Sequence, residues 1–322
     1  MDYTDLGGSG LTVSRIALGC MGFGAPDRGR NLWALGKDAA GPIFGRAVEL
    51  GITFWDTANV YGFGASEELV GQAIREYSRR EDIVLATKVG LPMHDGPGGS
   101  GLSRRAITEQ IDGSLTRLGT DHVDLYQVHR FDPNTPVEET MAALHDVVSA
   151  GKARFIGASS MWAWQFAKMQ HAADRNGFTR FVSMQDQYSL VQREEEREMF
   201  GLLDDQGVSS LPWCSLAKGR LARPYGRETA RSRVDPMGQR AFGDSDRRII
   251  DAVERIATAR GTSMADIALA WVLDNPVVAA PVIGATDPSH LDGAAAALGV
   301  ELSAAEVAAL EAHYTPRSPS GF

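Results

Sequence analysis

The sequence predicts an α/β fold, a (β/α)8 TIM barrel with an N-terminal β-hairpin and extra helices near the C-terminus. Three observations lead there. Eight short apolar runs, rich in β-branched residues, alternate with segments of helical period between residues 15 and 284. No Pro/Ser-rich linker or shift of composition interrupts them, so residues 1–322 read as one domain, a length a single α/β barrel can reach. An open parallel sheet is the competitor. Its commonest cofactor-binding form needs G-x-G-x-x-G after the first strand, and this chain has GCMGFG there, without the spacing or an immediate helix.

Residues 1–13, MDYTDLGGSGLTV, read as two short strands around a Gly-rich turn. RIALG (15–19) is the first barrel strand, followed by a Gly-rich loop and a helix near 38–50 that stops at Gly51. ITFWD (52–56) is the second; its helix is expected to start at Ser66 as N-cap, with Glu67 and Glu68 in the first turn, where the dipole favours acids. IVLATK (83–88) is the third. The next helix opens at Ser103, keeps Ile107, Ile111, Leu115 and Leu118 on one face and ends at Gly119. VDLYQVH (123–129) is the fourth, and Thr135, Pro136 and Glu138 supply an N-cap, a first-position proline and a capping-box acid. ARFIGAS (153–159) with a helix over 162–176, and FVSMQ (181–185) with one near 194–206, continue the alternation. VSSLPW (208–213) runs into a long loop, 214–243. Helices near 244–260 and 264–274, the last strand VAAPVIG (278–284), a helix near 288–298 and another from Ser303 finish the chain.

Composition narrows the function. The net charge of −9 argues against general attraction to nucleic acid or anionic membrane, so an anionic ligand needs a local basic pocket. Cys20 and Cys214 are far apart and in no metal-ligand spacing, which suits a reducing compartment. The N-terminus has no signal-peptide pattern, and no apolar stretch approaches a membrane span. A cytoplasmic, soluble protein is expected, with neither membrane nor nucleic acid as partner.

In such barrels reactive groups collect at the C-terminal ends of the strands. The polar residues there are Asp56, with Tyr61 in the following loop, then Lys88 and His129. Lys88 and His129 end otherwise apolar strands, where a titratable group is costly to bury unless paired. A phenol near pKa 10 is a poor acid at neutral pH unless its phenolate is stabilised. A lysine within about 4 Å would do that, and a carboxylate would keep the lysine charged and oriented. A neutral histidine beside the phenol could donate a hydrogen bond to a carbonyl oxygen. The set then lacks only a nucleophile, and hydride from a nicotinamide fits. Singly, each residue is as readily an ion pair, loop anchor or packing group; four at the ends of three successive strands are harder to explain that way. A glycosidase pair built on Asp56 leaves Lys88 and Tyr61 unexplained, and no second acid ends a strand convincingly.

Over nearly its full length the chain resembles the aldo-keto reductases, through FWDTANVYG-x-x-x-SEELVG (54–71), LATK (85–88), DLYQVH (124–129), IGASS (156–160), SMQDQYSL (183–190), PWCSLAKGRL (212–221) and PVIGAT (281–286). It looks closer to the bacterial branch that also resembles potassium-channel β subunits than to the aldose-reductase branch. The resemblance implies an NADPH-dependent carbonyl reductase, with NADH a less favoured cofactor and a small aldehyde or ketone as substrate. It matches Asp56, Tyr61, Lys88 and His129 to the catalytic tetrad, with Tyr61 as proton donor. Ser159 and Gln185 match residues that hydrogen-bond the nicotinamide carboxamide, and Trp213 the aromatic on which its ring stacks. Ser215, Leu216, Ala217 and Gly219 match the segment around the pyrophosphate. Gly284, Thr286 and His290 match the loop and helix start near the adenosine and its 2′-phosphate. Arg220, Arg223, Arg231 and Arg233 are candidates for a phosphate clamp. The blander readings are polar strand ends for Ser159 and Gln185, core for Trp213 and a solvated flap for the arginine loop.

Some positions depart from the family pattern. Asp186 stands where Asn is usual, Cys214 and Ser215 where Ser-Pro is usual, and Gly293 and Ala294 where an acid and an amide often grip the adenine. A second function remains in view, a nicotinamide-binding regulatory or scaffold subunit with little turnover. Loops 22–37, 91–102 and 218–243, with the C-terminal tail, would set specificity.

Overall fold

The computed structural model describes residues 1–29, 31, 33–227 and 243–319. Its hairpin pairs β1 (Tyr3–Asp5) with β2 (Thr12–Ser14) in antiparallel register. The main sheet holds eight parallel strands: β3 (Ala17–Gly19), β4 (Phe54–Asp56), β5 (Val84–Val89), β6 (Val123–Val128), β7 (Ala153–Ser159), β8 (Phe181–Gln185), β9 (Ser209–Ser210) and β10 (Val282–Gly284). Consecutive strands lie side by side, and β10 pairs with β3. Parallel bridges Ser210–Val278 and Trp213–Val282, with Val282 N donating to Pro212 O at 2.8 Å, join the two ends. The sheet is thereby closed into a (β/α)8 barrel.

Two of the eight runs, ARFIGAS and FVSMQ, are strand throughout; others are shorter than their apolar runs. VSSLPW and VAAPVIG contain Pro212 and Pro281, which have no N–H for the ladder, so β9 and β10 are cut to short segments.

The helices are α1 (Lys37–Glu49), α2 (Ala65–Tyr77), α3 (Arg104–Leu118), α4 (Val137–Ser149), α5 (Ala163–Asn176), α6 (Met199–Gln206), α7 (Asp244–Arg260), α8 (Met264–Leu273), α9 (Ser289–Ala296) and α10 (Ala304–Glu311). Ser103, Ser263 and Ser303 each accept the backbone N–H three residues on, as their positions predict. Two expected caps are displaced. Gly64, at φ +91°, caps α2, while Ser66 lies buried in the first turn and donates to Cys20 O at 2.7 Å. Pro136 occupies the cap of α4, and Thr135 instead donates to Asp132 Oδ2 at 2.7 Å. The helix expected over 194–206 is a 3₁₀ turn, Glu194–Glu196, followed by α6.

The strand period of two decides what fills the barrel. Phe54, Ala86 and Leu125 join Leu6, Val13, Ala17, Leu211 and Ala280 in an apolar inner cluster. Trp55, Leu85 and Tyr126 face the other way, into the larger core shared with the helices. Two residues beyond the inner apolar layer, on the same face, come Asp56, Lys88 and Gln127. The hairpin closes the opposite end: Gly8 N donates to Gly207 O at 2.8 Å and Gly7 N to Ser209 Oγ at 2.7 Å. Gly7 is at φ +56°, and a Cβ there would lie 2.7 Å from the carbonyl oxygens of Val182 and Gly207. Ligand access is therefore from the C-terminal ends of the strands.

Candidate active site

Lys88 is wholly enclosed, and its three ammonium protons are all engaged. Nζ donates to Asp56 Oδ2 at 2.5 Å, to Thr57 O at 2.9 Å and to Tyr61 OH at 3.4 Å. Burial is the largest influence on its pKa and lowers it, but Asp56 and Tyr61 together outweigh burial, leaving the ammonium above its ordinary value. Asp56 Oδ1 accepts from Gln127 Nε2 at 2.9 Å and from Gln185 Nε2 at 3.0 Å. The buried carboxylate is thus paired on one oxygen and solvated by amides on the other, the condition for burying an ion pair without a large penalty.

Tyr61 sits at the lip of this layer in a short loop held at several points. Ser66 N donates to Tyr61 O at 3.2 Å, Thr57 Oγ1 pairs with Ser66 Oγ at 2.8 Å, and Asn59 Nδ2 donates to Gln110 Oε1. Burial lifts the Tyr61 phenol above its usual pKa; Lys88 opposes this without cancelling it. The lysine therefore moderates the phenol and does not make it a stronger acid than free tyrosine. His129 packs edge-on against Tyr61, ring centroids 5.7 Å apart. Burial first, then the charges of Lys88 and Arg130, hold its imidazole well below the normal pKa, so the ring is neutral at physiological pH.

The next strands carry the residues expected to hold a cofactor. Ser159 Oγ donates to Gln185 O at 2.9 Å. Trp213, half-buried, is fixed by its Nε1, which donates to Ser160 Oγ at 3.0 Å. Ser215, Leu216, Ala217 and Gly219 follow in a tight segment with Ala217, Lys218 and Gly219 at positive φ. Among the described residues, the five non-glycine residues with positive φ, Phe63, Ser160, Cys214, Ala217 and Lys218, lie in the segments that follow β4, β7 and β9. Such strain, costing about 1–3 kcal/mol per residue, is retained where surrounding structure fixes a functional backbone. Gly284, Thr286 and His290 form a separate exposed rim at the start of α9, where Thr286 N donates to His290 Nδ1 at 3.3 Å. Of the candidate clamp, Arg223 donates to Gly219 O at 2.7 Å and Arg220 lies within Coulombic reach of Asp246; Arg231 and Arg233 fall outside the described residues.

The sequence profile of the aldo/keto reductase family matches residues 15–315. The chain is 42% identical to a versiconal hemiacetal acetate reductase of Aspergillus parasiticus, over 99% of this chain and 98% of that protein. It is 42% identical to the aldo-keto reductase AFTS1 of Alternaria alternata, over 99% and 93% of the two chains. A putative aryl-alcohol dehydrogenase of Schizosaccharomyces pombe shares 38% identity over 98% of this chain and 96% of its own.

The chain belongs to the aldo/keto reductase family.

It is accordingly an oxidoreductase enzyme. These relatives are fungal, and the expected affinity with the bacterial, channel-β-like branch finds no support in them. Three neighbours of the reductase's site went unrecognised in the sequence. Gln127 has a polar side chain inside an apolar strand, a signal that was present, since a buried amide requires partners. Arg130 donates to His129 O at 2.5 Å and lies 3.4 Å from Ser159 Oγ. Ser160 carries no signal in the sequence; it stands out in the structure by its φ of +44° and by accepting from Trp213 Nε1. Of the departures from the family pattern, Ala294 is buried in the core. Asp186 faces the wall between β8 and β9, where Ser210 Oγ donates to its Oδ1 at 2.8 Å.

Proposed function

We propose that this chain is a single-domain, NADPH-dependent reductase that converts small aldehydes or ketones to alcohols, with Tyr61 as general acid. The observation that carries the reading is the continuous chain Asp56–Lys88–Tyr61, at 2.5 and 3.4 Å, beside an imidazole held neutral. A neutral His129 can donate a hydrogen bond to a carbonyl oxygen. Tyr61 delivers its proton to that oxygen as charge develops there, and Lys88 stabilises the phenolate left behind. Lys88 remains charged throughout because Asp56 holds it so.

The residues present fit a nicotinamide cofactor. Asp56 is acceptor-only, so the Nε2 of Gln185 must face it, leaving the Gln185 oxygen for a carboxamide N–H. Ser159 sits beside it, and Trp213 presents a ring whose orientation Ser160 fixes. A bound nicotinamide supplies the hydride. NADPH is preferred over NADH in this reading because Thr286 and His290 meet at a helix start, where a phosphate is favoured.

Exposed aromatics lie in the segments that follow β4 and β7: Phe63, Trp162 and Trp164, the last 6.0 Å from Phe131. With relatives named as a hemiacetal acetate reductase and aryl-alcohol dehydrogenases, aryl aldehydes are the first substrates to try. The two cysteines, Cys20 and Cys214, far apart in the sequence, favour a reducing, cytoplasmic setting. Among the described residues no helix is long and apolar enough to cross a membrane. The test follows loss of reduced-nicotinamide absorbance with NADPH and with NADH across a carbonyl panel. Turnover with aryl aldehydes supports the reading; tight cofactor binding without turnover on any carbonyl overturns it in favour of a scaffold.

A further inference from the structure

We propose that Gln127 is a positioning residue of this reductase, a buried amide that, with Gln185, fixes the Asp56 carboxylate so that its other oxygen alone serves Lys88. The inference rests on the assignment of Tyr61 as acid and extends it one residue deeper into the barrel.

Gln127 lies on β6, two residues before His129, with no exposed surface. In the β5–β6 register it stands directly opposite Lys88. Its Nε2 donates to Asp56 Oδ1 at 2.9 Å, and its Oε1 lies 3.4 Å from Gln185 Nε2, which itself donates to the same Oδ1 at 3.0 Å. A carboxylate cannot donate, so both amides are held in one orientation. Oδ1 thus receives two N–H donors and Oδ2 receives Lys88. The arrangement has two consequences. Part of the Asp56 charge is balanced by the amide dipoles, so Lys88 is shared with Tyr61 and not drawn wholly onto the carboxylate. Gln185, which also stands at the expected carboxamide position, is tied through Gln127 to the same acid, and the cofactor side and the proton-donating side share one hydrogen-bonded layer. A structural amide would need only any partner in the barrel; this one spends its donor on the acid that holds Lys88.

The titratable groups around Tyr61 are Lys88, Asp56, Arg130 and His129, with Cys20 within Coulombic reach of Asp56 and Lys88. Removing the Gln127 donor leaves Asp56 less neutralised and pulls Lys88 toward it. The phenol is then a weaker acid, and the alkaline limb of the kcat profile moves to higher pH.

The experiment uses the full chain with NADPH and its best aldehyde, comparing wild type, Gln127→Met, which keeps length and loses the donor, and Gln127→Asn, which keeps the amide and withdraws it by one methylene. For Gln127→Met we expect kcat to fall about tenfold while the aldehyde KM changes less than about threefold. The alkaline limb should rise by about half a pH unit or more. Gln127→Asn should shift the limb in the same direction by less. An unmoved limb in both variants overturns the proposal, whether or not kcat falls. Insoluble protein from both also overturns it, because Gln127 would then be a packing residue. Tyr61→Phe run alongside separates the failures: full turnover there sinks the acid assignment itself, whereas a dead Tyr61→Phe with an unmoved Gln127→Met limb sinks only the role of Gln127.

Discussion

Replacing Asp186 by Asn should stabilise the reductase, and increasingly so as pH rises. The Asp186 side chain is 1% exposed; one oxygen takes the Ser210 hydroxyl, and Oδ2 has no partner among the described residues. Burial pushes its pKa from 3.8 up to about 7, and burial with the nearby Asp186 charge pushes Glu195 up to about 9. A carboxyl that binds its proton more tightly when folded contributes fully below its unfolded pKa. That contribution is lost as pH rises through the folded value. For Asp186 the window therefore runs from about pH 4 to about pH 7. At about 1.4 kcal/mol per tenfold change in proton affinity, the swing across it is about 4 kcal/mol as an upper bound. Asn is neutral at every pH and escapes it. Urea unfolding of the two proteins at pH 5 and pH 8 measures the difference, which should grow by up to about 3 kcal/mol in favour of the variant. The same difference at both pH values would refute the reasoning, because burial of a charge would then not be what Asp186 costs the fold.

Four further outcomes are expected. Tyr61→Phe should lower kcat at least about a hundredfold while leaving NADPH affinity, read by fluorescence titration, within a few-fold of wild type. Lys88→Met leaves Asp56 buried without its counter-ion and should cost about 3–5 kcal/mol in chemical denaturation; adding Asp56→Asn should recover part of that, and an additive double mutant would contradict the pairing. Gly7→Ala, forced against two carbonyl oxygens at a positive φ, should destabilise by about 1–3 kcal/mol without altering the aldehyde KM. Because His129 is held neutral, the kcat profile for reduction should show no limb near pH 6.5; a limb there that vanishes in His129→Asn would place a protonated imidazole in the site.

The alternation of apolar strand runs with helical segments determined a parallel α/β sheet and favoured a closed barrel over an open one, because strand and helix periods are local properties of a chain. The same period placed Asp56, Lys88 and His129 at strand ends, and the Gly-flanked loop placed Tyr61 just beyond. Boundaries were less legible. Ser66 and Thr135 have the chemistry of N-caps, but their hydroxyls turn to Cys20 O and Asp132 Oδ2; the first partner comes from another part of the fold, the second from the same loop three residues back. The sign of the Tyr61 shift was also out of reach, since it depends on how deeply the phenol is buried and not on which residues flank it. Gln127 is the clearest case. Sequence shows an amide in an apolar strand, but its partners, Asp56 and Gln185, lie 71 and 58 residues away and become neighbours only when β4, β6 and β8 turn the same face to the barrel axis. Periodicity determines which face a residue takes. Closure of the sheet alone decides which of those residues meet.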